Sequence, residues 1–331
     1  MRSFVLACTI VLVAAVSAWA APVTLRVGWV TIADAPLLMY GMTGLAQHEG
    51  VTYSLDLIHF QGSPPMITAL ATDEVDLVGF GFSSLPLAVE NAGMQDIRII
   101  ADQFQDGVPG YYSNVFLVLK DSPLRTVADL KGHSAATNAA GSAIDMTLRA
   151  LLKKNGLEPN RDVTIVEVAF PNMLAMLKDH KVDVTAALHE AVSDPDVQAY
   201  TRAIFTQADA LGRTQMAMLC ARTSTIAKDR AAIIDYLEDE LRALRWFEDP
   251  AHHDEAVEIF AKFTKRPAST YAGWLLSKPG DFYHDPNGVP DLDALQHNIE
   301  TERQLGFIKA DLDVKNYADL SLVEEAARRL Q

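Results

Sequence analysis

The turn formed by residues 139–142 carries the residue types with the clearest chemical use. Its small side chains let a ligand approach the backbone, and Ser142 stands where a helix is predicted to begin. Free N–H groups at a helix start, together with the helix dipole, form a site for an oxygen-rich anion. A tight turn in which Ser142 caps the helix explains the same residues without a ligand. The sequence alone does not decide between these two interpretations.

Motifs for catalysis or metal binding do not occur in the sequence. The run His252-His253-Asp254 comes closest to a metal site, but adjacent histidines project from different faces of a helix and no third ligand stands at i+4. We interpret it as a solvated, acidic helix start. A Gly-x-Ser-x-Gly elbow, a P-loop and a His-Glu-x-x-His motif are all missing. We therefore expect no metal, no cofactor and no enzymatic activity.

The first twenty residues have the zones of a secretory signal. Arg2 is followed by the apolar run 4–16 and then by the small residues that end at Ala20. The apolar run is shorter than the ~20 residues that a membrane-spanning helix needs. We therefore expect cleavage after Ala20 and a periplasmic protein. Cys8 precedes the end of the apolar run, so it comes too early to be a lipidated cysteine.

The charge of the chain excludes one class of partner. The formal net charge is −15, and removal of Arg2 with the signal makes it −16. Such an acidic surface repels nucleic acids and anionic lipid heads, and no basic run offsets it. Cys220 is the one cysteine left after cleavage and lies in an apolar stretch, so we expect it to be buried and to form no intramolecular disulfide.

The chain repeats itself at a distance of 107 residues. Three pairs of segments align at this shift: 35–37 with 142–144, 64–70 with 171–177, and 74–77 with 181–184. Both copies predict a strand, a short helix with proline in its first turn, and a second strand. The identity is weak, so coincidence between two short β-α-β units is an alternative. The agreement of three features at one shift favours two lobes of like construction.

We therefore predict an α/β protein of two lobes, each a mostly parallel sheet flanked by helices. Right-handed crossovers place the carboxyl ends of the strands and the starts of the following helices at one sheet edge. Ligands bind outside such edges, so the two lobes can share a cleft. The glycine-rich segment 106–110 and a return between His189 and Met218 would join the lobes. The predicted division is 21–112 and 213–331 for the first lobe, with 113–212 for the second.

Several stretches of the sequence resemble one protein family. They are 25–29 followed by 35–38, 69–76, 121–124 with 128–132, and 306–308 with 317–319 and 322–323. The sequence resembles the substrate-binding proteins of nitrate, sulfonate, taurine and thiamine-precursor importers, which have the type II periplasmic-binding fold. The resemblance covers nearly the whole mature chain and implies a helical C-terminal tail on the first lobe. Its motifs are specific for the fold and poor for the ligand.

The resemblance implies that turns at the strand ends line the cleft. Those turns, together with one basic residue, contribute the candidate ligand-binding residues Asp34, Ala35, Gln61, Ser63, Phe80, Phe82, Ser83, Gly141, Ser142, Asn172, His189, Glu190 and Arg213. Phe80 and Phe82 would form aromatic walls, although either could belong to the core because alternate strand residues face inward.

The charges of these candidates complicate an anion site. Asp34 and Glu190 lie in candidate cleft turns, whereas the basic candidates are Arg213 and His189. As ligand-binding groups, the carboxylates would hold an ammonium, an amidine or an aromatic amine. As helix caps they need no ligand. A zwitterion or a heteroaromatic amine therefore fits better than bare nitrate.

The resemblance also implies a function. The chain would be the extracytoplasmic receptor of an ABC importer, a monomer that delivers a sulfonate, carboxylate, zwitterion or heteroaromatic amine to a permease in the inner membrane. A ligand-presenting subunit of a membrane sensor needs the same fold and remains an alternative. A fungal pyrimidine-synthesising relative consumes its own cysteines and histidine. Cys220 alone does not supply that cysteine cluster.

Overall fold

The computed structural model describes residues 21–31, 33, 41–278 and 280–331 of the 331-residue chain. The predicted signal, 1–20, and two candidate site residues, Asp34 and Ala35, lie outside these ranges. Within them, no helix combines the length and the apolar composition that crossing a membrane requires.

The strands of the described chain form two sheets of five. They are β1 (Val23–Trp29), β2 (Tyr53–His59), β3 (Leu77–Gly81), β4 (Ile97–Asp106), β5 (Val115–Leu119), β6 (Ser134–Thr137), β7 (Thr164–Glu167), β8 (Val184–Ala186), β9 (Thr201–Thr206) and β10 (Thr214–Arg222). The strand orders are β2-β1-β3-β10-β4 and β7-β6-β8-β5-β9. In both sheets the first three strands run parallel, and the fourth pairs antiparallel with both neighbours.

Helices cover both sheets. They are α1 (Ser63–Ala71), α2 (Ser84–Asn91), α3 (Ala143–Lys154), α4 (Phe170–Lys178), α5 (His189–Val192), α6 (Pro195–Tyr200), α7 (Gln207–Leu211), α8 (Thr223–Glu248), α9 (His253–Thr264), α10 (Leu292–Gln304) and α11 (Ser321–Arg329). We call the first sheet with its helices lobe 1 and the second sheet with its helices lobe 2. The predicted two-lobed α/β architecture is confirmed.

The internal repeat relates equivalent elements of the two lobes. Helices α1 and α4 each have nine residues, both have proline in the first turn, and they begin 107 residues apart. Strands β3 and β8 begin at Leu77 and Val184, at the same distance. The shift thus connects matching β-α-β units in two sheets of the same strand order, which favours two lobes of like construction over coincidence.

Two crossings join the lobes and lie side by side. Gly107 follows β4 and Gly212 precedes β10, and both have positive φ angles, +70° and +67°. A Cβ atom on Gly107 would lie 2.3 Å from the carbonyl oxygen of Gly212, so the close approach requires a glycine. Asp106 accepts hydrogen bonds from the Ser113 hydroxyl and the Asn114 backbone N–H, at 2.5 and 2.9 Å. The first crossing is therefore held at both of its ends.

The sheet of lobe 1 is buried on both faces. Val78 packs into one hydrophobic cluster and its neighbour Leu77 into another, as alternation along a strand requires. The second cluster includes Leu237 of α8 and Leu322 of α11, which confirms that C-terminal helices pack on lobe 1. Cys220 is fully buried, and burial raises the pKa of its thiol.

Buried carboxyl groups in this helical part make stability depend on pH. Burial raises the pKa of Glu240 on α8 and of Glu302 on α10 to about 8. Neither oxygen of the Glu302 carboxyl has a hydrogen-bond partner among the described residues. The native state therefore holds protons between pH ~4.5 and ~8 that the unfolded chain has released, so stability decreases as pH rises through this range.

We expect the melting temperature to be several degrees lower at pH 8.5 than at pH 5.5. Glu302→Gln removes one ionisable group, so it should raise the melting temperature at pH 8.5 by about 3 °C or more and narrow the difference between the two pH values. Glu324→Gln removes an exposed carboxylate from α11 and serves as the control. Equal melting temperatures of wild type at both pH values, measured by calorimetry, would contradict this account.

Candidate functional site

A cavity lies where the carboxyl edges of the two sheets meet. Lobe 1 contributes residues at the ends of β1 and β3, including Val30 and Gly81. Lobe 2 contributes residues that follow β6 and β8, including Asn138 and His189. The loop between α9 and α10 closes a third side with residues between Tyr271 and His284. The cavity thus lies at the place where parallel sheets bind ligands.

The two lobes touch each other beside the cavity. The amide of Gln61 donates to the backbone carbonyl of Asn138 at 2.9 Å, and the amide of Asn138 donates back to the carbonyl of Gln61 at 3.0 Å. The hydroxyl of Ser83 donates to the carbonyl of Gly141 at 2.9 Å. The structure therefore represents the lobes in a closed arrangement.

Four of the candidate site residues line the cavity: Ser63, Ser142, His189 and Glu190. The Ser63 hydroxyl accepts a hydrogen bond from the backbone N–H of Gly81 at 3.0 Å, which joins α1 to β3. Three further candidates, Gln61, Ser83 and Gly141, form the contacts between the lobes and are not part of the described cavity wall.

The expectation of aromatic walls from Phe80 and Phe82 is wrong. Both side chains are fully buried in the hydrophobic core. Alternation along β3 turns Gly79 and Gly81 toward the cavity instead, because successive strand residues face opposite sides. The packing supports the alternative interpretation, in which these phenylalanines belong to the core.

Asn172 and Arg213 do not reach the cavity either. Asn172 is exposed in the first turn of α4. The Arg213 guanidinium pairs with Asp291 at 2.6 Å and donates to Gln105 at 3.3 Å, while 53% of the side chain is exposed. Its positive charge is used on the surface of lobe 1.

The hydrogen bonds of the turn 139–142 match a capped helix start. The Ser142 hydroxyl accepts from the backbone N–H of Asp145 at 3.2 Å and donates to the side chain of Asn138 at 2.8 Å. The Asp145 carboxylate accepts the N–H of Gly141 at 2.8 Å and pairs with Arg149 at 2.7 Å. A carboxylate of the chain itself therefore occupies the place that an anionic ligand would take.

An aromatic wall that the sequence analysis missed surrounds His189. The imidazole lies between the rings of Tyr112 and Trp274, with both centroid distances 3.7 Å, and Phe282 stands 6.0 Å away. Trp274 and Phe282 come from a loop that the sequence analysis treated as part of a helical tail. The aromatic string Phe282-Tyr283-His284, flanked by aspartates, was the signal that could have identified it.

The described charges of the cavity wall are negative. Glu190 and Asp281 contribute carboxylates, and no lysine or arginine occurs among the described lining residues. Burial is the largest effect on Glu190 and raises its pKa, whereas a backbone hydrogen bond and the charges of Arg266 and His189 act in the opposite direction. The His189 Nδ1 atom stands 3.8 Å from an oxygen of Asp281. His284, whose Nδ1 lies 2.6 Å from the carbonyl of Gln103, has its pKa lowered by burial.

A second group of possible metal ligands lies away from the cavity, on the helical side of lobe 1. His48, Asp235 and Glu238 place their ligand atoms within 4.8 Å of one another. Arg242 pairs with Glu238 at 2.7 Å, and Arg329 pairs with Asp235 at 2.8 Å. These arginines supply the positive charge that a metal would bring, so the group is an ion-pair network.

Comparison with known proteins identifies the family. The model of the NMT1-like family matches residues 19–261, which is most of the chain. The chain belongs to the NMT1-like family. Among the family's curated relatives, the "Putative aliphatic sulfonates-binding protein" of Escherichia coli K12 is 27% identical over 269 residues, covering 80% of this chain and 79% of that protein.

Solved structures show that this NMT1-like chain has the periplasmic binding protein fold. The alkanesulfonate-binding protein SsuA of Xanthomonas axonopodis pv. citri, bound to MOPS, has a TM-score of 0.72 and 20% identity and covers 91% of this chain and 99% of its own. The nitrate-binding protein NrtA of Synechocystis PCC 6803 has a TM-score of 0.73 and 15% identity and covers 94% and 89%. At these identities the likeness concerns the fold.

Gly81 is the residue on which closure of this cleft depends most directly. A Cβ atom there would lie 2.8 Å from the Cβ of Ala143 across the cleft, closer than two such atoms pack. We expect Gly81→Val to hold the lobes apart and weaken ligand binding at least tenfold, while the strand tolerates valine. Calorimetry with the bound solute and X-ray scattering would measure both effects.

Ala203→Val is the control, because it adds side-chain volume at an exposed strand position that is not part of the described cavity wall. This variant should bind as wild type does. Wild-type affinity and compaction in Gly81→Val would contradict the role given to the contact.

Proposed function

We propose that this protein is the extracytoplasmic solute-binding subunit of an ABC importer. It captures a small organic solute between its lobes and delivers it to a permease in the inner membrane. The observation that carries the proposal is the cavity at the carboxyl edges of both sheets, with walls from both lobes and reciprocal hydrogen bonds between Gln61 and Asn138 beside it. A site built from two separately folded halves binds by closing around its ligand.

The binding proteins to which this chain is similar support the same function. They are binding proteins for sulfonates and nitrate, two of them with the periplasmic fold. We further propose that the lobes divide at residues 112 and 212, that the crossings at Gly107 and Gly212 serve as the hinge, and that the mature protein acts as a periplasmic monomer without cofactor.

Thermal-shift screening of the mature protein tests the binding function. A solute at a hundred times its dissociation constant stabilises the native state by about 2.7 kcal/mol, which raises the melting temperature by several degrees. The screen should contain sulfonates, carboxylates, zwitterions and heteroaromatic amines. Stabilisation by members of one class is the expected result, and no stabilisation by any solute would argue against a binding protein.

Uptake measurements separate import from sensing. Deleting the gene of this protein or that of its permease should abolish uptake of the identified solute to the same degree. Normal uptake together with loss of a transcriptional response to the solute would assign the protein to a membrane sensor instead.

Export is tested by the mass of the protein recovered from the periplasm. We expect a mature chain that begins at Ala21 and carries no lipid, because the signal ends at Ala20. Retention of Met1, or an acylated cysteine, would contradict the export proposal.

A further inference from the structure

Among the described residues of the cavity wall there is no lysine or arginine to match an anionic ligand. These residues include Glu190 and Asp281. Arg213 pairs with Asp291 outside the cavity. Arg266 is exposed and lies near enough to Glu190 to lower the pKa of its carboxyl, but it forms no ion pair with Glu190 among the described contacts.

Two of the helix starts beside the cavity, those of α3 and α1, offer little to an anion. At α3, the Asp145 carboxylate, which also pairs with Arg149, occupies the N–H of Gly141. At α1, Pro64 and Pro65 lack the backbone N–H groups that a helix start normally presents. At these two helix starts, the backbone N–H groups that could bind an oxygen-rich anion are thus either already hydrogen-bonded or absent.

The remaining wall suits a cation with an apolar body. Five aromatic residues line the cavity: Phe104, Phe170, Tyr271, Trp274 and Phe282. The faces of aromatic rings carry partial negative charge and attract ammonium groups. His189 is 8% exposed, and its Nδ1 atom has no hydrogen-bond partner among the described residues. Asp281 stands 3.8 Å from that nitrogen, and its carboxylate accepts the backbone N–H groups of Leu276 and Phe282 at 2.8 and 2.7 Å. Glu190, by contrast, forms no ion pair with a lysine or arginine among the described contacts, which leaves its carboxylate open to a ligand.

We propose that the cavity binds a small organic cation, an ammonium or amidinium group on an apolar or aromatic body, with Glu190 as its main counter-ion. The proposal rests on the function proposed above and names the ligand class of the same site. The aromatic residues of the cavity wall, among them Trp274 and Phe282, receive the apolar body. A cation beside Glu190 compensates a carboxylate that burial otherwise destabilises.

Pairs of probes with one shape and opposite charge test this inference. Benzylammonium and benzyltrimethylammonium are compared with phenylacetate and phenylmethanesulfonate, and short alkylammonium ions with the matching carboxylates, by calorimetry at pH 7.5. We expect the cations to bind and the anions to bind at least tenfold more weakly. Glu190→Gln should weaken cation binding by about ten- to a hundredfold, the loss of one charged hydrogen bond.

Glu324→Gln, with the same change of charge at an exposed site, should leave the affinity unchanged. Glu190→Ala provides a second variant if Glu190→Gln unfolds, and it should weaken cation binding at least as much. Melting curves of the free proteins show which variants are folded.

The outcomes separate this inference from the proposed function. Tighter binding of the anionic probes, or cation affinity unchanged in folded Glu190→Gln, would overturn the cation inference and leave the binding function intact. Absence of binding by both series and by every solute of the thermal-shift screen would overturn both.

Discussion

The close approach of the two sheet edges is the constraint on which the other features depend. At the carboxyl edge of each sheet lie turns and the first residues of helices. The two lobes can come into contact there only if their backbones approach each other closely. Gly81 allows the contact with Ala143, and Gly107 allows the two crossings to lie together. The hydrogen bonds between Gln61 and Asn138 then join the lobes through main-chain and amide groups. A larger side chain at either glycine would prevent this close approach of the backbones.

Closure also explains the unusual charges of the cavity. Glu190 would be well solvated in an open cleft, whereas its buried position raises its pKa because the ionised form loses water. The closed arrangement is therefore favoured by a ligand that restores the lost interaction, and disfavoured by one that adds negative charge. Specificity and closure would share one origin, which fits a fold whose relatives bind different solutes.

The sequence was sufficient for the fold and insufficient for much of the site. The 107-residue repeat and the prolines of α1 and α4 predicted the two lobes, because local patterns determine β-α-β units. The same patterns could not tell which face of β3 meets the cavity, so Phe80 and Phe82 were assigned to walls they do not form. Trp274 belongs to a loop that is distant in sequence from the other cavity residues. The sequence around it has no hydrophobic periodicity that would predict where this loop packs.

A distance measurement between the lobes tests the central claim most directly. Cys220 is fully buried, so spin labels can be placed on Asp56→Cys in β2 of lobe 1 and Lys181→Cys in lobe 2, both at exposed positions. Pulsed electron resonance should show a broad or long distance distribution without solute and a narrow, shorter one with it. A solute that binds with full occupancy and leaves the distribution unchanged would contradict the account of a cleft that closes.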